Sequence, residues 1–133
     1  MTPEKMLYDE IKKLAEDHYP TGWAGAGGVI LEDGQILTSV APDVKNEGAS
    51  LCMETGAYLE AFKLKKNVTH TLCLARENEE AEFVILTPCG ICQERLHSWG
   101  GDVFCGITNP KNELKFVKLS HLQPHHWHCA YED

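Results

Sequence analysis

The sequence predicts an α/β domain in which helices pack on a mixed sheet. Three observations lead there. Apolar residues recur at helical spacing in separate segments, short strand-like runs lie between those segments, and tight-turn residues place a hairpin near each end of the chain, which a wholly parallel sheet would not contain. A length of 133 residues suits one domain spanning residues 1–133.

Each element follows from local chemistry. Residues 3–18 set Met6, Leu7, Ile11, Leu14 and Ala15 on one helical face, with Pro3 near the start and Tyr19-Pro20 as the stop. The runs 24–31 (AGAGGVIL) and 35–40 (QILTSV) read as strands joined at Glu32-Asp33-Gly34. Residues 53–65 carry Ala57, Tyr58, Ala61, Phe62 and Leu64 on a mostly buried helix. A strand over 69–75, an acidic loop over 77–80 and a short apolar run over 83–86 follow. Pro88 suits the lead-in to a helix over 90–99 that Gly100-Gly101 ends. Runs at 103–108 and 114–119 flank the turn Asn109-Pro110-Lys111-Asn112 as a second hairpin, and the tail from Ser120 is rich in His and Trp.

Composition excludes several functions. Twenty acidic against twelve basic side chains give a net charge of -8, and no Lys/Arg block offsets it, so a polynucleotide partner is not expected. No apolar run approaches the roughly 18 residues a membrane span needs. The first residues lack a basic leader and an apolar stretch, so a cytoplasmic location is expected. In that compartment the six cysteines point to metal or catalytic thiols rather than disulfides.

The chemistry concentrates in two stretches. Cys89-Gly90-Ile91-Cys92, at a turn entering a helix, puts two sulfurs on one side, close enough for a tetrahedral metal and near the positive helix end, which favours thiolate. A redox dithiol and half of a four-cysteine structural site are the competing readings. The first sits earlier in a chain, and the second lacks another C-x-x-C here. Cys52 is set apart among the four remaining cysteines by Glu54, two places on. The pair can share a site only where loop becomes helix, because residues i and i+2 of a regular helix point about 200° apart. Three thiolates, an open fourth position and an adjacent carboxylate describe a catalytic zinc site. C-x-E followed by P-C-x-x-C is the pattern of zinc nucleoside and nucleobase deaminases.

On these residues, from about 20 to 127, the chain resembles the small, all-cysteine cytidine deaminase family, which includes blasticidin S deaminases. The family's C-A-E-R is similar to Cys52-Met53-Glu54-Thr55, its P-C-G-x-C-R-Q to Pro88-Cys89-Gly90-Ile91-Cys92-Gln93-Glu94, and its late L-L-P-x-x-F to Leu122-Gln123-Pro124-His125-His126-Trp127. The glycine-rich first strand after an aromatic residue is similar to Trp23-Ala24-Gly25-Ala26-Gly27-Gly28. The resemblance implies a three-layer α/β/α fold with a mixed five-stranded sheet, usually as a homotetramer. It implies Zn²⁺ on Cys52, Cys89 and Cys92, and a small cytosine-type substrate. It also implies a zinc hydroxide that attacks ring C4 while Glu54 shuttles protons to N3 and to the departing ammonia. Trp23, Asp43 and Trp127 are the implied substrate contacts, Trp127 often in a neighbouring subunit's pocket.

The chain also departs from that pattern. Arginines usual after the glutamate and after the second helix cysteine are Thr55 and Gln93, leaving Arg95 or helix ends to offset the thiolate charge. The family's ribose-gripping N-x-E aligns with Ala41-Pro42-Asp43. Blasticidin S is therefore an alternative substrate, and a zinc-binding homologue without activity is an alternative function. Cys73 and Cys105, inside apolar runs, read as buried small hydrophobes, and the tail histidines as a surface run.

Overall fold

The structure, a computed structural model, describes residues 1–132. Thr2 opens helix α1 (Pro3–His18): its hydroxyl accepts from the backbone N–H of Lys5 at 3.2 Å, and proline occupies the first turn. Leu7, Ile11 and Ala15, spaced by four, are fully buried. Strand β1 (Ala24–Leu31) is buried along its whole length. It pairs antiparallel on one side with β2 (Ile36–Ser39), across the expected Asp33-Gly34 turn, and on the other with β3 (Val68–Arg76). Between them lies α2 (Thr55–Leu64), and after β3 come β4 (Val84–Ile85) and α3 (Gly90–Leu96). The closing hairpin is β5 (Phe104–Gly106) with β6 (Phe116–Lys118), and the chain turns away through the short helix α4 (Leu119–Leu122).

The sheet is mixed, as expected: the order is β2-β1-β3-β5-β6, with β5 parallel to β3 and the other pairs antiparallel. It holds six strands where five were expected. β5 pairs with β3 only at His70 and Thr71, so the far end of the nine-residue β3 has a free edge, and two residues of the apolar run over 83–86 take it as β4.

Alternation along β1 divides the core. Ala24, Ala26 and Ile30 face α1 with Leu72, Leu74 and Phe83. Val29 and Leu31 face α2 and α3 with Tyr58, Ala61, Cys92 and Leu96. Helices on both faces of one sheet make the three layers. Two helix expectations change in detail. α2 buries Ala57, Tyr58 and Ala61 but exposes Leu59, Phe62 and Leu64, since one stripe alone meets the sheet. The helix expected over 90–99 tightens after Leu96 into a 3-10 turn, His97–Trp99, that Gly100 ends with φ 95°.

Candidate active site

The site is built where α2 and α3 begin, above β1. Cys52, Met53 and Glu54 form the turn before α2, closed by the Thr55 N–H on the Cys52 carbonyl at 3.0 Å. Ser39 at the end of β2 grips both sides of this turn, donating its hydroxyl to the Met53 carbonyl (2.7 Å) and accepting from the Ala57 N–H (3.0 Å). β1 leaves room beneath. A Cβ on Gly27 would lie 2.7 Å from Cβ and 2.9 Å from Cα of Glu54, and one on Gly25 would meet the Trp23 ring at 2.7 Å and the Met53 methyl at 3.1 Å.

Cys89 is the N-cap of α3 and Cys92 lies in its first turn, which carries both toward the Cys52 turn. The sulfurs of Cys52, Cys89 and Cys92 all lie within 4.8 Å of one another, those of Cys52 and Cys89 at 3.3 Å. Among the described residues this is the one group of His, Cys, Asp or Glu placed to hold a metal. Zn–S bonds of about 2.3 Å in a tetrahedron separate sulfurs by roughly 3.8 Å, so the donor set and its spread fit zinc. Glu54 stands beside the trio without joining it, 3% exposed. Burial holds its carboxyl above the usual carboxylate range, with the Cys92 and Cys73 thiols and the Arg95 charge pulling the other way. Burial likewise raises the Cys52 and Cys92 thiols. At Cys89 burial is outweighed by the backbone N–H of Cys92, the neighbouring thiols and the N–H of Ile91, and the thiol is lowered, as a helix N-terminus favours.

Side chains at the places noted as departures brace this arrangement. Gln93 donates its amide to the Pro88 carbonyl at 2.7 Å, fixing the lead-in to Cys89, and Arg95 donates Nη1 to the Thr55 hydroxyl at 3.3 Å, tying α3 to the first residue of α2. Cys73, read from sequence as a plain core residue, is buried but pairs across the sheet with Gly27, beneath Glu54, where burial and the nearby carboxylate keep its thiol protonated. Its signal was the strand alternation that puts it on the glycine face. No sequence signal marks Ser39.

The expected substrate contacts divide. Trp23 lies beside Met53, packs edge-on against Tyr19 (centroids 5.2 Å) and lines a cavity of 380 Å³ with Ala75, Glu77, Glu82 and Val84. Asp43 is exposed on the loop leading to Cys52 and makes no side-chain hydrogen bond among the described residues. Trp127 donates its indole N–H to Glu94 at 3.0 Å, on the tail, and hydrogen-bonds none of the cysteines. One tail histidine departs from a surface run: the side chain of His126 is 6% exposed, stacks on His97 at 3.6 Å and bonds Glu94 at 2.8 Å, while His121, His125 and His128 are exposed.

No family model and no curated protein matches the chain. Solved structures do. The chain is similar to the cytidine deaminase from Bacillus anthracis, with 56% identity over 99% of this chain and 94% of that one, at a TM-score of 0.97. It shares its fold with the cytidine deaminase from Burkholderia pseudomallei (16% identity, 96% and 100% of the chains, TM-score 0.73). The same holds for a variant of the cytidine deaminase from Mycobacterium tuberculosis (18% identity, 96% of each chain, TM-score 0.72).

Proposed function

The chain belongs to the cytidine deaminase family, and from that premise we propose that residues 1–133 form one catalytic domain that removes the amino group of a cytosine nucleoside or related small cytosine compound by zinc-dependent hydrolysis. The observation that carries this reading is the convergence of the Cys52, Cys89 and Cys92 sulfurs next to a buried Glu54 that is not one of them.

In this reading Cys52, Cys89 and Cys92 would hold zinc. Bound zinc supplies Lewis acidity that brings the pKa of water to about 7. Glu54 would carry the protons: it takes one from the attacking water and gives it to ring N3, then takes the proton of the new C4 hydroxyl and delivers it to the amino group, which leaves as ammonia when the C4–N bond breaks. A carboxyl whose pKa burial raises is suited to both halves of that exchange. Trp23, half exposed beside Met53, offers a ring face for stacking. Asp43 fits a hydroxyl contact. Trp127, 62% exposed and hydrogen-bonded to Glu94, fits a contact made to the pocket of a neighbouring copy. The exposed Leu59, Phe62 and Leu64 of α2 support such an assembly, which we take to be a homotetramer. No helix among the described residues is long and apolar enough to cross a membrane, in keeping with a cytoplasmic enzyme.

Ammonia release from cytidine, deoxycytidine, modified cytosines and blasticidin S, with zinc measured on the same samples, tests the proposal. Turnover of at least one compound is expected; bound zinc with no turnover of any would replace the enzyme with a binding protein. One observation favours blasticidin S as the second reading: Glu77 and Glu82 line the Trp23 cavity against the single cation Arg76, a net negative wall that suits a cationic substituent.

A further inference from the structure

Three thiolates on a dication carry a net charge of about -1, and ionised Glu54 adds another in a pocket where it is 3% exposed. Buried charge without a partner is strongly unfavourable. The residues that follow Glu54 and Cys92 in sequence, Thr55 and Gln93, are neutral, and the Gln93 amide is committed to the Pro88 carbonyl. Four of the other eleven cations are engaged elsewhere: Lys5 with Asp9, Lys66 with Asp33, Lys118 with Asp102, and Arg76 with the Tyr19 carbonyl. Among the described residues, Arg95 is the one cation that hydrogen-bonds the 52–55 turn.

Its position follows from two constraints. Arg95 lies three residues after Cys92 on α3, and residues so spaced are neighbours on one helical face. Its Nη1 donates to the hydroxyl of Thr55, itself 3% exposed and adjacent to Glu54. The guanidinium therefore stands between the Cys92 side of α3 and the start of α2. Its charge also reaches Glu54, where it opposes the effect of burial.

We propose that Arg95 is a positioning residue of this site, its guanidinium offsetting the negative charge of the three-thiolate centre while its bond to Thr55 ties α3 to the turn that carries Cys52 and Glu54. The proposal rests on the zinc reading above. It is tested on zinc-loaded protein by chelator competition and steady-state kinetics with Arg95→Gln and Arg95→Lys. Arg95→Gln is expected to weaken zinc binding and lower kcat by about tenfold each, the scale of one partly screened charge, with KM within about twofold because no substrate contact is lost. Arg95→Lys restores most of both, since the charge survives. In the cobalt-loaded proteins the thiolate-to-metal absorption shifts in Arg95→Gln and stays near wild type in Arg95→Lys. Wild-type zinc affinity in Arg95→Gln, or equal loss in both variants, would overturn the charge role. A wild-type protein that binds no zinc would instead overturn the zinc reading itself, before the variants are compared.

Discussion

Gly27 lies directly beneath Glu54, so close that a Cβ on Gly27 would sit 2.7 Å from the Cβ and 2.9 Å from the Cα of that residue. Because the obstacle includes backbone, the turn that carries Glu54 must move to admit a methyl group. Gly27→Ala is expected to lower kcat about 100-fold or more, the effect of a misplacement near 1 Å at a reacting group. Kinetics paired with zinc analysis checks it; an unchanged kcat would show that the turn yields freely.

Glu54→Gln keeps the size and burial of the side chain but cannot move protons. Zinc content should stay at the wild-type level while kcat falls by at least about 100-fold. Zinc lost from this variant would place Glu54 among the ligands and undo the division of roles between it and Cys52, Cys89 and Cys92.

Zinc removal should be visible in stability. A metal that binds only the folded chain at about 1,000 times its dissociation constant stabilises it by about 4 kcal/mol. Chelation is therefore expected to lower the Tm of the wild-type protein by many degrees, and to leave Cys89→Ala, already short of one sulfur, almost unmoved. Equal shifts in the two proteins would argue against a site at these cysteines.

Ser39 makes two hydrogen bonds to the turn, one on each side of Glu54. Ser39→Ala leaves the Ala57 N–H without its partner, and urea unfolding should show a loss of about 1–2 kcal/mol. A change within about 0.5 kcal/mol would mean that water replaces the hydroxyl, as it does at ordinary surface positions.

Trp23 tests the substrate wall. If its indole stacks on the base, Trp23→Ala loses about 1–3 kcal/mol of binding, seen as a rise in KM of roughly 5- to 150-fold with a smaller change in kcat. A variant with wild-type KM would confine Trp23 to packing against Tyr19, the contact it makes at 5.2 Å.

Much of the fold was legible because its signals are local. The Leu7, Ile11, Ala15 stripe, the Asp33-Gly34 turn and the glycines after Trp99 depend on neighbours within a few residues, and the helix, hairpin and stop appear where they indicate. β4 was not legible as a strand, since two residues pair with β3 only because β5 stops short of its end. The exposed side of α2 was misread for a related reason. Apolar residues around most of a helix look the same in sequence whether they meet a sheet or solvent.

At the site, the sequence by itself determined which reactive side chains are available. Cysteine and glutamate at these spacings supply the soft donors and the carboxylate on which the proposed zinc chemistry rests, whatever lies between the two stretches. Only the tertiary structure decided which other side chains serve them. Cys73 comes to Glu54 by strand pairing with Gly27, Arg95 meets Thr55 across forty positions, and Ser39 reaches over from β2 to hold the turn. The physical reason is range. Ligand identity is set by covalent chemistry and short spacing, whereas the partner of a charge or hydroxyl is set by which surfaces packing brings together, and no local pattern records that.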